Sequence, residues 1–286
     1  IDRIEQRFTR PAYLSLPATD AGFEQARTTD KAFANWVRRN VHPHKKPGYV
    51  AVTLSLKKTG IPPGDATADQ MDAVADLADR YSFGEIRVSH EQNLVLADVQ
   101  QADLFVLWQR AQALGFATPN IGLLTNIISC PGGDFCSLAN AKSIPVAEAI
   151  QRRFDDLDYL HDIGELDLNI SGCMNACGHH HVGHIGILGV DKQGAEFYQI
   201  EIGGNQGETR LGTRAAIGKV LGPSVSQEAV PDVIEQLIEV YLQLRDSEAE
   251  RFIDVVHRIG IEPFKERLYG GHSSRPADHS GSVATA

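Results

Sequence analysis

No run of apolar residues in this sequence approaches the ~20 that a membrane-spanning helix needs. Cationic residues are in short supply: 27 Lys and Arg stand against 37 Asp and Glu, for a formal charge of −10. Nucleic acid and anionic membrane surfaces demand clustered Lys and Arg, so neither is expected as the main partner. The densest basic group, Lys45, Lys46, Lys57 and Lys58, reads as a solvated strand flank. The sequence opens Ile1-Asp2-Arg3-Ile4-Glu5, without an initiator Met or a signal-peptide pattern. That start suggests a trimmed chain or a fragment, and a cytoplasmic location is expected. Cysteine is scarce too, and all four lie between Cys130 and Cys177. Pooled in this way they could not staple the rest of the chain as disulfides do in small secreted domains. The pooling favours a metal centre in a reducing compartment.

What is present supports two folded units. A chain of 286 residues with 42% hydrophobic content can bury more than one core. Helical spacing of Phe33, Trp36 and Val37 predicts a helix over Thr29–Val41, stopped at His42-Pro43. Tyr49 to Leu56 alternates with β-branched residues and reads as a strand. Thr67 with Gln70 forms a capping box for a helix to Arg80, with Met71, Val74, Leu77 and Ala78 expected on its buried face. Two short strands, Glu85–Ser89 and Asn93–Ala97, read as a hairpin. A helix from Ala102 to Leu114 follows, closed by Gly115. Strand–helix–strand–strand–helix is the order of a ferredoxin-like split βαβ unit, placed at residues 45–118 after a linker and helix at 1–44.

A second unit is expected over 119–265. It holds a loop with Cys130 and Cys136, a helix from Pro145 to Phe154, and strands at Leu166–Ile170, Ile185–Val190 and Phe197–Ile202. Helices are expected at Thr213–Val220, at Pro231–Arg245, and from Ser247, capped with Glu250, to Ile259. Residues 266–286 read as a disordered polar tail.

The cysteines are spaced Cys130-x5-Cys136 and Cys173-x3-Cys177. Thiolates suit iron–sulfur clusters and zinc alike, so ligand type leaves both open. A five-residue gap is wider than the usual zinc knuckle and suits a loop wrapping a larger cube. Gly132, Gly133, Ala176 and Gly178 are small enough to let backbone N–H groups approach the sulfurs. A structural or interaction domain stabilised by zinc on the four cysteines is the alternative, and unliganded thiols are a third reading. His179, His180, His181 and His184 either line a cofactor pocket or are solvated turn histidines. Gly203-Gly204-Asn205 at a strand end permits close backbone approach to a ligand, or is a plain hairpin turn.

The segment Gly172-Cys173-Met174-Asn175-Ala176-Cys177-Gly178, with the upstream Cys130-x5-Cys136 pair, resembles the cluster signature of siroheme-dependent nitrite and sulfite reductases. Ile185-Gly186-Ile187-Leu188-Gly189, the Gly203-Gly204-Asn205 turn and Ile86–Leu94 resemble the same family. The resemblance covers roughly residues 25–265 and corresponds to the family's C-terminal half. It implies an α+β chain: a ferredoxin-like module followed by a mixed α/β siroheme and iron–sulfur reductase domain. It implies that Cys130, Cys136, Cys173 and Cys177 ligate a [4Fe–4S] cluster and that Cys177 also serves the siroheme iron. Asn175 would contact the macrocycle, with Gly204 and Asn205 also at the cofactor. The implied reaction is six-electron reduction of sulfite to sulfide or nitrite to ammonia, with a ferredoxin or flavoprotein as electron donor. The cationic residues that bind the anion in this family come from an N-terminal half with no counterpart here, so the resemblance implies an electron-delivering half-enzyme.

Overall fold

The computed structural model describes residues 1–6, 11–207 and 214–270, and its buried apolar side chains fall into two clusters. The first is built around a four-stranded sheet. A short helix α1 (Asp2–Glu5) precedes α2 (Ala21–Thr29) and α3 (Lys31–Asn40). The single helix expected over Thr29–Val41 is thus shorter and has a partner. Asp30 lies between the two in extended backbone, and its carboxylate accepts the Phe33 N–H at 2.9 Å, so it starts a new helix rather than continuing the old one. Strands β1 (Val41–Pro43) and β2 (Tyr49–Leu54) follow, then α4 (Ala68–Tyr81), β3 (Arg87–Val88), β4 (Leu94–Gln100) and α5 (Leu104–Leu114). The order across the sheet is β1-β2-β4-β3, and every pair is antiparallel. This is the expected ferredoxin-like unit.

The Thr67–Gln70 capping box forms as expected, with both hydrogen bonds present. Val74, Leu77, Ala78 and Tyr81 face the core, whereas Met71, expected among them, is exposed. It sits one turn from the helix start and lines the cleft beside Val88 and Leu94 instead of entering the core. Phe33 and Trp36 of α3 are fully buried, and the Phe33 ring lies 5.3 Å from Trp108 of α5, locking that face.

The second core surrounds a five-stranded sheet ordered β5-β6-β7-β8-β9. Its elements in chain order are β5 (Ile128–Ser129), α6 (Ile144–Arg153), α7 (Leu157–Ile163), β6 (Leu168–Ser171), β7 (Ile185–Lys192), β8 (Ala195–Ile202) and β9 (Lys219–Val220). Helices α8 (Val230–Leu244), α9 (Phe252–Ile259) and α10 (Glu262–Tyr269) complete it. β5, β6 and β7 run parallel, while β8 and β9 add on antiparallel. Every residue of β6, an interior strand between β5 and β7, is buried.

Three expectations for this unit are corrected. The helix at Thr213–Val220 is absent among the described residues (Thr213 lies outside them): Ala216 bridges Asn205, and Lys219–Val220 pairs with β8 as an edge strand. The helix expected from Ser247 begins only at Phe252. Glu250 accepts the Asp246 N–H at 2.7 Å and pairs with Arg258, so its carboxylate serves a turn instead of a capping box. Residues 266–269, assigned to the tail, belong to α10, which Phe264 anchors in the core. The tail from 271 onward lies outside the described residues. β5 and α7 are additions that the sequence pattern did not predict.

Candidate metal centre

Parallel pairing of β5 with β6 decides where the cysteines meet. Ser129 stands opposite Ile170, so Cys130 and the Gly172-Cys173 pair leave the sheet side by side at the carboxyl ends of neighbouring strands. That edge is where open α/β sheets hold their ligands. The Cys130 N–H continues the ladder to the Ile170 carbonyl at 3.1 Å. The Gly172 N–H then turns away from the ladder and donates to the Cys130 sulfur at 3.1 Å. Ser143 Oγ lies 3.4 Å from the same sulfur. One backbone donor and one hydroxyl thus sit against a sulfur at the point where the two loops meet.

Glycines make this junction possible. A Cβ on Gly172 would stand 2.6 Å from the Ala141 carbonyl oxygen and 2.9 Å from Gly132 Cα. A Cβ on Gly132 would stand 2.4 Å from the Ser143 nitrogen, and Gly132 holds φ near +59°. The two loops therefore touch backbone to backbone. From Gly132 a short 3-10 turn carries the chain to Cys136, whose N–H donates to the Gly132 carbonyl at 2.9 Å. Cys130, Cys136 and Cys173 are knit into one loop cluster.

The last cysteine arrives by a fold-back. Ala176 adopts φ near +55°, and the Gly178 N–H donates to Ser171 Oγ at 3.1 Å. Gly178 lies so close over the end of β6 that a Cβ there would be 1.9 Å from the Ile170 oxygen. Cys130 and Cys173 are buried, Cys136 is half-buried, and Cys177 is exposed. Asn175 beside Cys177 is exposed as well. Among the described residues no three cysteine sulfurs lie mutually within 4.8 Å. A tetrahedral zinc with Zn–S bonds of about 2.3 Å needs sulfurs about 3.8 Å apart. The described sulfurs are therefore not gathered as closely as a preformed tetrahedral zinc site requires.

The first unit reaches into the junction. The Gln92 side chain in the β3–β4 turn binds Ser129 twice: its Nε2 donates to the Ser129 carbonyl at 2.7 Å, and its Oε1 accepts the Ser129 N–H at 3.0 Å. The same Oε1 accepts from Lys57 Nζ at 3.2 Å. Lys57 is fully buried, and burial pushes its ammonium down to about 7 against the opposing pull of Glu91 and Asp65. A cleft of about 540 Å³ opens between the units, with Gln92, Asn93, Ser129, Cys130 and Phe135 among its walls.

The histidine run and the glycine turn lie behind the cysteines. His180, His181 and Val182 form a 3-10 turn. His180 is fully buried, and burial, followed by neighbouring His181, pushes its imidazole down to about 4. His184 is also lowered to about 4, by burial first and then by Arg251, and its Nδ1 accepts the Asp167 N–H at 3.1 Å. Gly204 is buried against the carbonyls of His181 and Gly183, where a Cβ would stand 2.5 and 2.4 Å away. Asn205 pairs by backbone with Ala216, and its Oδ1 accepts the Gly207 N–H. The described contacts of Gly204 and Asn205 are with the histidine turn and the 207–216 side, not with the cysteine loops. Sequence reading missed Ser143, Gln92 and Glu201. Only the Ile86–Leu94 match hinted at Gln92, and nothing local marked the other two.

The family model of the nitrite and sulphite reductase 4Fe-4S domain matches residues 122–275. The chain belongs to the nitrite and sulphite reductase family. The model of this family's ferredoxin-like half domain matches residues 42–114 as well. The chain is 30% identical over 216 residues to the ferredoxin–nitrite reductase of Synechococcus elongatus, covering 71% of this chain and 39% of that protein. It is 30% identical over 229 residues to the sulfite reductase (ferredoxin) of Mycobacterium tuberculosis, covering 76% of this chain and 40% of the other. The structure of the Mycobacterium tuberculosis NirA protein superposes with a TM-score of 0.63 at 28% identity, over 79% of this chain and 41% of that one. A dissimilatory sulfite reductase I shares the fold with a TM-score of 0.63 at 15% identity, over 83% of this chain and 74% of that one. The chain spans about two fifths of the length of the curated relatives it matches. Among the described residues no helix is long and apolar enough to cross a membrane.

Proposed function

We propose that this chain is the cluster-bearing C-terminal half of a siroheme-dependent reductase that takes sulfite to sulfide or nitrite to ammonia. The observation that carries the reading is the Gly172 N–H···Cys130 sulfur bond, because it joins the two cysteine loops at one sheet edge. Cys130, Cys136, Cys173 and Cys177 would hold a [4Fe–4S] cluster. Cys177, the exposed one of the four, would share its sulfur with the siroheme iron, and Asn175 would face the macrocycle. Phe135, Leu138 and Met174 support a large apolar cover there. They flank the cysteines in the sequence and are 79%, 71% and 82% exposed.

When bound, the coupled cluster and siroheme would pass the donor's six electrons to the anion one at a time. This chain's own residues position and tune. The Gly172 amide donates to the Cys130 sulfur with the Ser143 hydroxyl beside it, while the interlocked Gly132 and Gly172 fix the distance between loops. Gln92 ties Ser129, and with it Cys130, to the ferredoxin-like unit. The names of the relatives support a ferredoxin as donor, and sulfite and nitrite both stand as substrates. The test is the visible spectrum of anaerobically prepared, cofactor-loaded protein and of Cys177→Ser. Loss of the coupled siroheme signature is expected in the variant, and an unchanged spectrum refutes the shared sulfur.

A further inference from the structure

Among the described residues, one group of side chains away from the four cysteines is arranged as a ligand set. One ligand atom each from His180, His181 and Glu201 lies within 4.8 Å of the other two. His181 Nδ1 and Glu201 Oε2 are 3.3 Å apart. That is the edge of a tetrahedron with metal–nitrogen and metal–oxygen bonds of about 2.0–2.1 Å. Adjacent histidines usually diverge, but here the 3-10 turn swings both rings together, with centroids 3.8 Å apart. His180 is fully buried, and neither of its ring nitrogens has a hydrogen-bond partner. A buried imidazole with both nitrogens idle is rare, because proteins satisfy their buried polar atoms. Glu201 is 5% exposed and sits on the sheet, not in a solvated acidic cluster.

The surroundings are built to hold this trio. Glu201 stands opposite Gly186 in the β7–β8 pair. A Cβ on Gly186 would meet the His180 carbonyl at 2.2 Å, so the missing side chain lets the histidine turn lie flat on the sheet beside Glu201. The His181 carbonyl accepts the Gly218 N–H at 2.8 Å, and Gly204 packs on the same carbonyl from another side. The backbone of the turn is thereby fixed before any ligand arrives.

We propose that His180, His181 and Glu201 form a binding site for a divalent transition-metal ion, separate from the cysteine cluster. Two imidazoles and one carboxylate suit the borderline ions of the zinc, iron(II) and cobalt class. The His181 side chain is 45% exposed, which leaves the fourth position open to water on that side. Three protein ligands with an open position are the pattern of reactive sites, not of closed structural ones.

The test uses Zn²⁺ as the probe on the cofactor-loaded full chain. Binding is followed by isothermal titration, and the ligand shell is read by zinc-edge X-ray absorption. One zinc per chain is expected, with nitrogen and oxygen neighbours at about 2.0–2.1 Å and none at the ~2.3 Å of sulfur. His181→Ala and Glu201→Gln should each weaken binding by at least about tenfold, the low end of what loss of even an outer partner costs at a metal site. His181→Ala alters a half-exposed side chain, and circular dichroism checks that both variants are folded. Sulfur in the zinc shell, no binding by the wild type, or unchanged affinity in both variants would overturn the assignment. Iron and acid-labile sulfide measured on the same sample establish that the four cysteines are occupied, so that sulfur in the zinc shell is not read from empty thiolates.

Discussion

Gly172→Ala places one methyl group at the junction of the two cysteine loops. The built Cβ lies 2.6 Å from the Ala141 oxygen, 2.9 Å from Gly132 Cα and 3.0 Å from Ser143 Oγ. Two of these three atoms are backbone, held by the Gly133 N–H to the Ala141 carbonyl and the Ala141 N–H to the Gly172 carbonyl, both at 3.0 Å. Relief to ordinary contact needs a displacement of roughly 0.6–0.8 Å, and forcing a methyl into a packed site costs about 1–3 kcal/mol. The same displacement strains the Gly172 N–H···Cys130 sulfur bond at 3.1 Å, worth about 1 kcal/mol. The expected loss is therefore about 2–4 kcal/mol, a large share of a typical 5–15 kcal/mol of stability. Urea unfolding of anaerobic protein measures it, and iron content after desalting reports on the site. Gly270→Ala is the control: φ is −63° and the nearest atom to a new Cβ is 3.9 Å away, so its effect should stay within about 0.5 kcal/mol. A Gly172→Ala protein matching that control in both stability and iron retention would refute the interlocked-loop reasoning.

Gln92→Ala removes both bonds to Ser129 and the partner of Lys57, so a loss of about 2–3 kcal/mol is expected together with faster release of iron to a chelator. Lys57 has its ammonium lowered to about 7, so between pH 7 and about 10.4 the unfolded chain holds a proton that the folded chain lacks. Stability should rise with pH across that window, and Lys57→Met should add on the order of 4 kcal/mol at pH 7 and flatten the rise, read from urea midpoints. His184, lowered to about 4, is neutral when folded, so its contribution is complete above about pH 6.5 and is lost as pH falls toward 4. His184→Gln keeps an acceptor for the Asp167 N–H without titrating, and it should remove up to about 3 kcal/mol of the acid-side loss in the same urea series.

Period and punctuation made the first unit legible. The Thr67–Gln70 box and the Gly115 stop with φ near +79° are local signals that formed where expected, and the strand expected from Tyr49 to Leu56 formed over Tyr49–Leu54, buried on both faces instead of alternating. Elements fixed by partners distant in sequence were not legible. β5 and β9 are two residues long and exist only because β6 and β8 offer open ladders, so no window centred on them carries a pattern. The helix expected at Thr213–Val220 had adequate spacing, but the open edge of β8 took Lys219 and Val220 as a strand. At the site, the cysteines and their adjacent glycines were readable from spacing alone. Ser143 and Gln92 were not, because their roles arise from a loop contact 13 residues from Cys130 and an inter-unit contact 37 residues from Ser129. Glu201 was hidden in the same way: an acidic residue within an apolar strand has no meaning until the histidine turn packs beside it.

The most direct test is the iron and acid-labile sulfide content of anaerobically prepared chain, with zinc measured alongside. About four irons and four sulfides per chain are expected from a cluster on Cys130, Cys136, Cys173 and Cys177, with both lost when Cys173 is replaced by Ser. Sulfide-free protein with one zinc bound to sulfur would contradict the iron–sulfur assignment.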